Sequence, residues 1–515
     1  MTPRGTYVDL VLDVLAAHPD REAVKLGDQR VSYADARSFI LRTAAALRGL
    51  GLRRGDVIAL AVGNRPDTVL LQLAIHLTGA QLTFVPPEPG LAEQSSFLKR
   101  AEPAAFVYDP RSTRSADLAA LGVAPVVLTL GPSDAGTDLL ALVAEQDAVE
   151  FAERAERDDI VTLFYTGGTT GTPKMVLHRH SYYDSLIFAS ERRRAECPTP
   201  QRFLVCTTVN HASGHISAIM TLLAGGTVIL IENFDAGGVI EIMARERVTS
   251  VIMMPPMLYA MLDHPDLPPH GYPDLVRLHY SGAPTSPQRI RQAVERFGPV
   301  LRQTYGLTEV PVVTLLEPED HDLGVPGRLG SAGKPLTQFV EVVLRRDGLE
   351  VPVGEVGEVC VRGPLVMAEY RRDPAQTEQV LRDGWLHTGD LGRFDADGYL
   401  HLVDRVKDVI ITGDTSANVY CALLEAALAG WPGVRAAVAV GLPDEQYGEA
   451  VHVVCVLDPD AVVDPDDLRK HVLAELGTLY EPKTVTFVES LPWTAVGKID
   501  KKAVRAMLAE RVQPA

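Results

Sequence analysis

Cysteine is scarce in this chain and never occurs as a close pair. The five cysteines are odd in number and far apart, and none has the C-x-x-C spacing of a metal or redox site. This pattern is typical of a protein whose thiols stay reduced. It argues against a disulfide-stabilised scaffold and predicts a cytoplasmic protein.

Long apolar runs are also missing. The longest, TLLAGGTVILI and VIMMPPMLYAML, fall short of the about 20 residues that a membrane-spanning helix needs, and Pro255 and Pro256 interrupt the second. Near the N-terminus, Asp9 and Asp13 interrupt the apolar residues at helical spacing, which predicts an amphipathic helix rather than a secretion signal. We therefore expect no membrane span.

The third shortage is of positive charge. The formal net charge of −18 disfavours attraction to phosphate backbones and to anionic lipid. Nucleic acid is therefore not an expected partner. Apolar residues, at 46% of the chain, are by contrast plentiful enough for packed cores.

The length of the chain and the change in its sequence patterns predict two domains of unequal size. A chain of 515 residues exceeds the about 250–300 residues at which one core stops growing. Between about residues 30 and 340, helical patterns alternate with short apolar runs such as VIALAV, which predicts a layered α/β fold with parallel strands. Runs separated by Asp-Gly and Gly-Glu turns predict an antiparallel β-subdomain over about 330–404, which completes a large N-terminal domain, 1–404. Residues 405–515 predict a small α+β C-terminal domain.

A loop rich in glycine and threonine follows the apolar run IVTLF. The stretch YTGGTTGTPK, from Tyr165 to Lys174, starts where a strand is expected to end, and α/β folds place ligands at such points. Its glycines allow close backbone approach, its threonines donate hydrogen bonds and its lysine adds charge, which suits a polyphosphate. The Walker pattern fails, because Thr172 and Pro173 separate Gly171 from the lysine. On these residues alone, a flexible turn stays open as the alternative.

Six further motifs follow the loop in a fixed order. They are NHASGH from Asn210, SGAPTSP from Ser281, TYGLTE from Thr304, GWLHTGDLG from Gly384, DRVKD from Asp404 and PWTAVGKIDKK from Pro492. Together with the loop they resemble the adenylate-forming superfamily, which contains acyl- and aryl-CoA ligases, luciferases and peptide-synthetase adenylation domains. The loop differs from the usual pattern at Gly167, where Ser is common, and at Met175, where Gly usually follows the lysine.

The resemblance implies a nucleotide site assembled from these motifs. Tyr305 and the SGAPTSP turn would hold adenine, and Asp390, an acceptor-only carboxylate, would bind the ribose hydroxyls beside Arg405. Without the resemblance, these residues would be interpreted as a core tyrosine and a surface turn. The residues expected to bind the nucleotide are Thr166, Gly167, Gly168, Thr169, Thr170, Gly171, Lys174, Gly282, Ala283, Pro284, Thr304, Tyr305, Gly306, Thr308, Asp390, Arg405 and Lys498.

The same resemblance implies the catalytic residues. A carboxylate that attacks an α-phosphate brings two anions together, so the reaction needs a cation, and Lys498 matches the family lysine that supplies it across the domain interface. Thr308 is expected to contact a phosphate oxygen, Glu309 to bind Mg²⁺ and His211 to border the acyl pocket. The expected catalytic set is Lys498, Thr308, Glu309 and His211, and the expected substrate-binding set is His211, Ala212, Ser281 and Gly306.

The segment from Asp404 to Asp408 matches the family hinge, with Lys407 at the hinge residue. The family uses this hinge to swing a mobile C-terminal domain between two half-reactions, and hinges need only a few residues that tolerate a large backbone change. A charged surface loop is compatible with the same residues. The sequence after the hinge, GDTSANVYCALLE, departs from the usual CoA-ligase pattern: Cys421 replaces a proline and Leu423 replaces a glutamate.

These features predict an ATP- and Mg²⁺-dependent ligase that forms an acyl adenylate and transfers the acyl group to a thiol, with CoA the first expectation. The VNHASGH segment lacks the Asp that holds an α-amino group, and Met254 and Tyr259 suggest an apolar pocket wall, so an aromatic or medium-chain acid is expected. The altered loop keeps other acceptors open: a carrier-protein thiol, an amine, or activation of an oxyanion such as nitrite. A nucleotide-binding regulatory protein is the alternative from another class. Expected partners are a small-molecule acid and, as open alternatives, an acyl carrier protein and a second copy in a homodimer.

Overall fold

The computed structural model describes residues 5–86, 90–149, 155–166, 174–196, 200–283, 285–412, 417–444, 448–493 and 499–512. The first part of the chain contains α1 Tyr7–Ala17, β1 Glu22–Leu26, β2 Gln29–Ser32, α2 Tyr33–Gly49, β3 Val57–Ala61, α3 Pro66–Leu77, β4 Gln81–Phe84, α4 Leu91–Ala101, β5 Ala105–Tyr108, α5 Thr113–Ala120, β6 Val126–Thr129, β7 Thr137–Asp138, α6 Leu139–Ala144, β8 Ile160–Thr166 and β9 Lys174–Arg179.

The alternation of helices and strands continues to residue 316. The elements are α7 Asp184–Glu196, β10 Arg202–Val205, α8 Ala212–Leu223, β11 Thr227–Leu230, α9 Ala236–Arg245, β12 Ser250–Met253, α10 Pro255–Leu262, β13 Arg277–Ser281, α11 Pro287–Phe297, β14 Leu301–Leu307 and β15 Val310–Leu316.

Strands dominate the next segment, and a smaller mixed region ends the chain. The strand-rich elements are β16 Lys334–Pro335, β17 Glu341–Arg346, β18 Leu349–Glu350, β19 Gly357–Arg362, β20 Glu369–Tyr370, α12 Pro374–Val380, β21 Leu381–Arg382, β22 Trp385–Phe394 and β23 Leu400–Arg405. The last elements are β24 Ile410–Thr412, β25 Ala417–Val419, α13 Cys421–Ala429, β26 Val434–Asp444, β27 Gly448–Leu457, α14 Pro465–Leu476, β28 Thr484–Phe487 and α15 Lys501–Val512.

Two large sheets form the layered α/β part. In the first sheet the strand order is β16-β15-β14-β13-β12-β10-β11-β1-β2, and the strands from β14 to β1 run parallel. In the second the order is β20-β9-β8-β4-β3-β5-β6-β7, parallel from β8 to β7. Strands such as β11 and β12 are buried along their whole length, as expected when helices cover both faces of a parallel sheet. The layered α/β prediction is confirmed.

Helix boundaries in this part follow from local sequence. Ser32 caps α2 by accepting a hydrogen bond from the backbone N–H of Asp35, and Asp235 caps α9 by accepting one from Gly238. Pro66 begins α3, where its missing N–H costs nothing. These caps fix where each helix starts after its strand, and therefore where the connecting loops emerge.

The strand-rich segment forms an antiparallel sheet with the order β18-β17-β19-β22-β21, and β23 pairs with β22. In the C-terminal region the order is β25-β24-β27-β26, with β28 parallel to β27. Helices α13 and α14 pack on one face around Leu424 and Leu468, and α15 packs on the other through Val504 and Leu508. Across the described residues, no helix combines the length and apolarity needed to cross a membrane.

Candidate active site

The parallel topology brings four of the seven predicted motifs to the carboxyl edges of the two large sheets. Carboxyl ends of parallel strands lie on the same side of a sheet, and α/β folds bind ligands there. The segment after β10 carries His211, and the carboxyl ends of β13 and β14, with the residues directly after them, carry Ser281–Gly282 and Tyr305–Glu309. The carboxyl end of β8 carries Thr166 at the same edge of the second sheet.

Asp390 is buried and contacts both a buried tyrosine and a partly exposed arginine. The Tyr305 hydroxyl donates to Asp390 Oδ2 at 2.7 Å, and Arg405 Nε lies 2.9 Å from Asp390 Oδ1. The arginine is held there because Asp390 and Arg405 are opposite each other in the β22–β23 ladder. Burial, followed by the nearby carboxylate, raises the pKa of Tyr305 well above its ordinary value, so the phenol keeps its proton. Each carboxylate oxygen has capacity for a further donor.

A tight hairpin presents Thr308 and Glu309 between β14 and β15. His178 Nε2 donates to the Thr308 carbonyl at 2.8 Å, and the Met367 N–H donates to the Glu309 carbonyl at 2.8 Å. Burial lowers the pKa of His178 to about 4, so the ring is neutral and its donating nitrogen is Nε2. A Cβ at Gly306 would lie 2.1 Å from the Pro311 carbonyl oxygen, which explains the glycine of TYGLTE.

The Glu309 carboxylate is oriented by a residue that the sequence motifs do not include. The Tyr370 hydroxyl donates to Glu309 Oε1 at 2.6 Å, and Lys174 Nζ lies 4.7 Å from the centroid of the Tyr370 ring. Tyr370 reaches this point because the two-residue strand β20 pairs with β9. The pairing joins the strand-rich segment to the second sheet and connects the end of the glycine-rich loop with the Thr308–Glu309 hairpin.

His211 is the N-cap residue of α8. Its ring lies edge-on to Tyr165, with 6.5 Å between centroids, and its Nδ1 is 3.3 Å from Ser213 Oγ. A Cβ at Gly214 would lie 2.2 Å from the Thr208 carbonyl oxygen, so only glycine lets α8 start this close to the preceding loop. Ala212, the next predicted residue, is buried.

The turn after β13 packs against α10. Gly282 has φ +90°, a left-handed conformation that favours glycine, and a Cβ there would lie 3.3 Å from Met254 Cε. The Ser286 N–H donates to the Tyr259 hydroxyl at 2.8 Å. Met254 and Tyr259 therefore both lie against the turn that is predicted to hold adenine.

The predicted hinge is held by the C-terminal helices. Asp404 Oδ2 accepts from the Ala422 N–H at 3.4 Å, and Cys421 Sγ lies 3.1 Å from the Asp408 carbonyl oxygen. Arg505 Nη2, from α15, lies 3.5 Å from Asp408 Oδ1. Lys407 is half-buried, and burial lowers its pKa. The segment thus contacts both α13 and α15 of the C-terminal region.

Seven of the predicted residues cannot be placed in this site. Thr166 pairs with Lys174 across β8 and β9, so the two ends of the glycine-rich loop are fixed. A bridge between Trp493 and Ile499 similarly closes the turn that carries the predicted catalytic lysine. The predicted residues that lie outside the described ranges are Gly167, Gly168, Thr169, Thr170, Gly171, Pro284 and Lys498.

A second cluster, within the ranges that the structure describes, contains three metal-ligand side chains but does not suit a metal. Glu358 Oε2 and Cys360 Sγ lie 2.7 Å and 3.4 Å from His387 Nδ1. Arg382 is also 3.1 Å from this nitrogen and 3.6 Å from the Glu358 carboxylate, which puts a positive charge where a metal would bind. Burial, reinforced by Glu358, raises the pKa of Cys360 to about 12, so its thiol stays protonated.

Two family models match the chain. The "AMP-binding enzyme" model matches residues 12–371, and the "AMP-binding enzyme C-terminal domain" model matches 423–498. The chain belongs to the AMP-binding enzyme family. The family that seven short motifs predicted is therefore confirmed. The predicted activity is confirmed with it: the enzyme is an AMP-forming ligase that activates an acid as an acyl adenylate and transfers the acyl group to a nucleophile.

Similar proteins cover almost the whole chain. A medium/long-chain-fatty-acid–CoA ligase, FadD8, of Mycobacterium tuberculosis is 35% identical over 97% of this chain and 90% of its own length. A feruloyl-CoA synthase of an Amycolatopsis species is 34% identical over 95% of this chain and 96% of its own length. Among solved structures, the amide bond synthetase McbA of Marinactinospora thermotolerans has a TM-score of 0.89 and 38% identity, covering 97% of this chain and 99% of that one.

Proposed function

We propose that this enzyme uses ATP and Mg²⁺ to activate an aromatic or medium-chain carboxylic acid and transfers the acyl group to CoA. The observation that carries the proposal is the contact of Tyr305, on the strand that leads into the Thr308–Glu309 hairpin, with Asp390 on β22, which Arg405 on β23 also contacts. Similarity to a fatty-acid and a feruloyl ligase supports the two acid classes.

Each residue of the proposed site has a role that its chemistry supports. Asp390 accepts hydrogen bonds from the ribose hydroxyls while Arg405 holds the carboxylate in place. Tyr305 presents its ring to adenine beside the Gly282 turn. Lys498 neutralises charge on the reacting carboxylate and α-phosphate.

Glu309 fits a magnesium site. Its carboxylate is partly exposed, and Tyr370 binds only Oε1, which leaves Oε2 for a hard cation. Proteins usually bind Mg²⁺ through one or two carboxylates together with substrate phosphates, so a single glutamate is a sufficient donor set. When bound, Mg²⁺ would neutralise charge on the phosphates. Tyr370 would act by orienting the carboxylate.

A cavity of about 510 Å³ supports CoA as the acceptor. It lies at the carboxyl ends of β3 and β5 in the second sheet. In that sheet β4 separates these two strands from β8, whose carboxyl end leads into the glycine-rich loop. The cavity therefore opens at the same edge of the sheet as the carboxyl end of β8. Its wall includes Asn210, which directly precedes His211 in the chain. A ligand here would therefore lie next to the acyl side of the site.

The wall of this cavity offers both charge and unsatisfied acceptors. Arg111 and Arg114 line it together with Asp109 and Glu232. Among the described side chains, the amide oxygens of Gln94 and Asn210 are buried without a hydrogen-bond partner. Buried acceptors without partners are costly, and a ligand with N–H donors would satisfy them. CoA carries both features, because its pantetheine amides donate and its phosphates pair with arginine.

Replacing Arg114 by alanine tests this acceptor site. The KM for CoA should rise about tenfold or more if one charge-assisted hydrogen bond is lost, while acid-dependent pyrophosphate exchange stays unchanged. Lys99→Ala is the matched control, because Lys99 is exposed on the neighbouring helix α4 and away from the cavity wall. An unchanged KM for CoA in Arg114→Ala would remove the cavity from the proposal.

An amine acceptor is the second candidate. The 38% identity to an amide bond synthetase supports it, and so does the departure of the segment before Glu425 from the CoA-ligase pattern. A screen of pyrophosphate exchange over aromatic and aliphatic acids should first identify the acid. Mass analysis of the products, with CoA and with a panel of primary amines in separate reactions, then separates thioester from amide. Amide without thioester would make the second candidate the function.

We further propose a division of the chain at 404/405, with the β-subdomain at about 330–404 and a mobile C-terminal domain swinging at Lys407. A cytoplasmic location is proposed from the cysteines, which are odd in number and widely spaced. A carrier-protein thiol is proposed as an alternative acceptor, and acyl transfer to a phosphopantetheinylated carrier protein tests it. A homodimer is proposed as the assembly, and light scattering of the purified protein tests it.

A further inference from the structure

A chain of hydrogen bonds crosses the interior of the N-terminal part and ends beside the acyl region. Its side chains come from α1, α3, β8, α8 and the segment before α7, and all of them are buried. In order, they join Tyr7 to His76 at 2.5 Å, His76 to Thr162 at 3.1 Å, Thr162 to Tyr183 at 2.5 Å, Tyr183 to His215 at 2.8 Å, His215 to Gln72 at 2.6 Å, and Gln72 to the Val209 carbonyl at 3.2 Å.

The amide of Gln72 fixes the protons along this chain. Its Nε2 donates to the Val209 carbonyl, so its Oε1 faces His215 and can only accept. His215 must then carry its proton on Nδ1, which leaves Nε2 to accept from the Tyr183 hydroxyl. Burial lowers the pKa of His215 to about 3, so the ring is neutral.

The same logic extends to the far end. The Tyr183 oxygen, having donated its proton, accepts from the Thr162 hydroxyl. Thr162 then accepts from His76 Nε2–H, and His76 Nδ1 accepts from the Tyr7 hydroxyl. Every proton therefore has one consistent position, and reversing any link would leave two donors or two acceptors facing each other.

The near end of the chain acts on the loop that leads to His211. While Gln72 holds the Val209 carbonyl, the Val209 N–H donates to Asn64 Oδ1 at 2.8 Å, so both polar groups of this residue are bound by side chains. Asn64 Nδ2 also donates to the Thr207 carbonyl at 3.0 Å. Val209 stands two residues before His211, and the position of that ring follows from the position of this loop.

We propose that Gln72 and His215 are positioning residues, and that the hydrogen bond from His215 Nδ1 to Gln72 holds the Val209 loop where His211 borders the acid. This inference rests on the proposed function, because it assigns His211 to the acyl side of the site. The links from Tyr183 to Tyr7 stabilise the fold but do not touch the loop. His215 thus divides the series of hydrogen bonds into two parts. The part from His215 to Val209 affects binding of the acid, and the part from Tyr183 to Tyr7 does not.

Two substitutions at His215 separate these two parts. In His215→Asn the amide nitrogen occupies the place of Nδ1, so the donor to Gln72 is kept and the link to Tyr183 is lost. In His215→Gln the amide oxygen reaches the place of Nε2, so the link to Tyr183 is kept and the donor to Gln72 is lost. Each variant leaves two buried groups without a partner, one former partner of His215 and the unused end of the new amide, so similar losses of thermal stability are expected.

The steady-state constants should nevertheless differ. His215→Gln is expected to raise the KM for the acid about tenfold at an unchanged KM for ATP, and His215→Asn to stay within about threefold of the wild type. Tyr7→Phe, at the far end, is the control: it should lower the melting temperature without changing the KM for the acid. Equal changes of this KM in the two His215 variants would overturn the proposal. If either variant fails to fold, Gln72→Met compared with Tyr7→Phe makes the same comparison.

A spectroscopic measurement tests the proton positions without any assay of activity. ¹⁵N-labelled histidine, with the His215 signal identified by its loss in a variant, should show the Nδ1–H tautomer at neutral pH. An Nε2–H tautomer would contradict the inferred chain even if the enzyme is active. Absence of activity in the wild type with a confirmed Nδ1–H tautomer would instead count against the proposed function and not against the chain.

Discussion

Replacing Lys498 by alanine is expected to lower adenylate formation by about 10²–10³-fold or more, because removal of one preorganised charge that meets a developing anion has an effect of this size. The attacking carboxylate and the α-phosphate are both negative, so the barrier includes their repulsion. No general base is required, since a carboxylic acid is already ionised at neutral pH. The measurement is acid-dependent pyrophosphate exchange under saturating ATP and acid.

The surroundings of Lys498 provide a close control. The turn before α15 is closed by the Trp493–Ile499 bridge, and Lys501 is bound to Glu425 at 2.9 Å, so it cannot serve as the reacting cation without breaking this ion pair. Lys502, one residue on, is exposed. Lys502→Ala removes the same charge from the same segment and should leave pyrophosphate exchange within about twofold of the wild type.

A second assay distinguishes lost chemistry from lost folding. If Lys498 acts only while the adenylate forms, the alanine variant should still consume chemically prepared acyl adenylate in the presence of the acceptor. Its circular dichroism and melting temperature should match those of the wild type. Unchanged pyrophosphate exchange in Lys498→Ala would transfer the catalytic role to another cation, and Lys174 beside Tyr370 would be the first to examine.

Contiguous motifs and apolar runs were sufficient to predict the family and the layered α/β fold. The strand-to-loop transition after β8 follows from the apolar run IVTLF, which ends at a glycine-rich stretch, and a parallel sheet places such transitions on one edge. The family resemblance predicts that Asp390 and Arg405 contact the same sugar, and the structure pairs the two residues across adjacent strands. Glycines at 214 and 306 are explained by backbone approaches of 2.2 Å and 2.1 Å that a Cβ would make.

The contacts that were missed all join segments far apart in sequence. Tyr370 reaches Glu309 through a two-residue strand, which is too short to show a periodic pattern. His178 lies in a buried strand and would be taken as a core histidine, yet its ring holds the Thr308 carbonyl. His215 and Gln72 are 143 positions apart, and no local pattern indicates that their side chains meet. Tertiary packing, rather than propensity, decides each of these contacts.

Replacing Asp390 by alanine is expected to produce the second large effect, on ATP binding. A carboxylate that accepts two ribose hydroxyls makes two charge-assisted hydrogen bonds of about 1.5–3 kcal/mol each, so kcat/KM for ATP should fall by about 10²–10⁴-fold. The KM for the acid, measured at saturating ATP, should change little. Initial rates of pyrophosphate exchange over a wide range of ATP concentration provide both constants.

The buried Tyr305 complicates this substitution and also provides its control. In Asp390→Ala the Tyr305 hydroxyl loses the acceptor that it contacts at 2.7 Å, and a buried donor without a partner costs about 1–3 kcal/mol of stability. Tyr305→Phe alone removes one neutral donor and should lower kcat/KM for ATP by only about two- to tenfold. The double variant Asp390→Ala/Tyr305→Phe has no such unpaired hydroxyl, so its melting temperature should recover towards that of the wild type.

The double variant decides whether Asp390 binds the nucleotide or only stabilises the fold. If the carboxylate holds the ribose, kcat/KM for ATP in the double variant stays as low as in Asp390→Ala although stability returns, because no other acceptor at this position replaces it. If ATP kinetics recover together with stability, Asp390 acts through Tyr305 and the ribose contact lies elsewhere. Since Arg405 loses the same partner in both variants, its contribution is equal and does not affect the comparison.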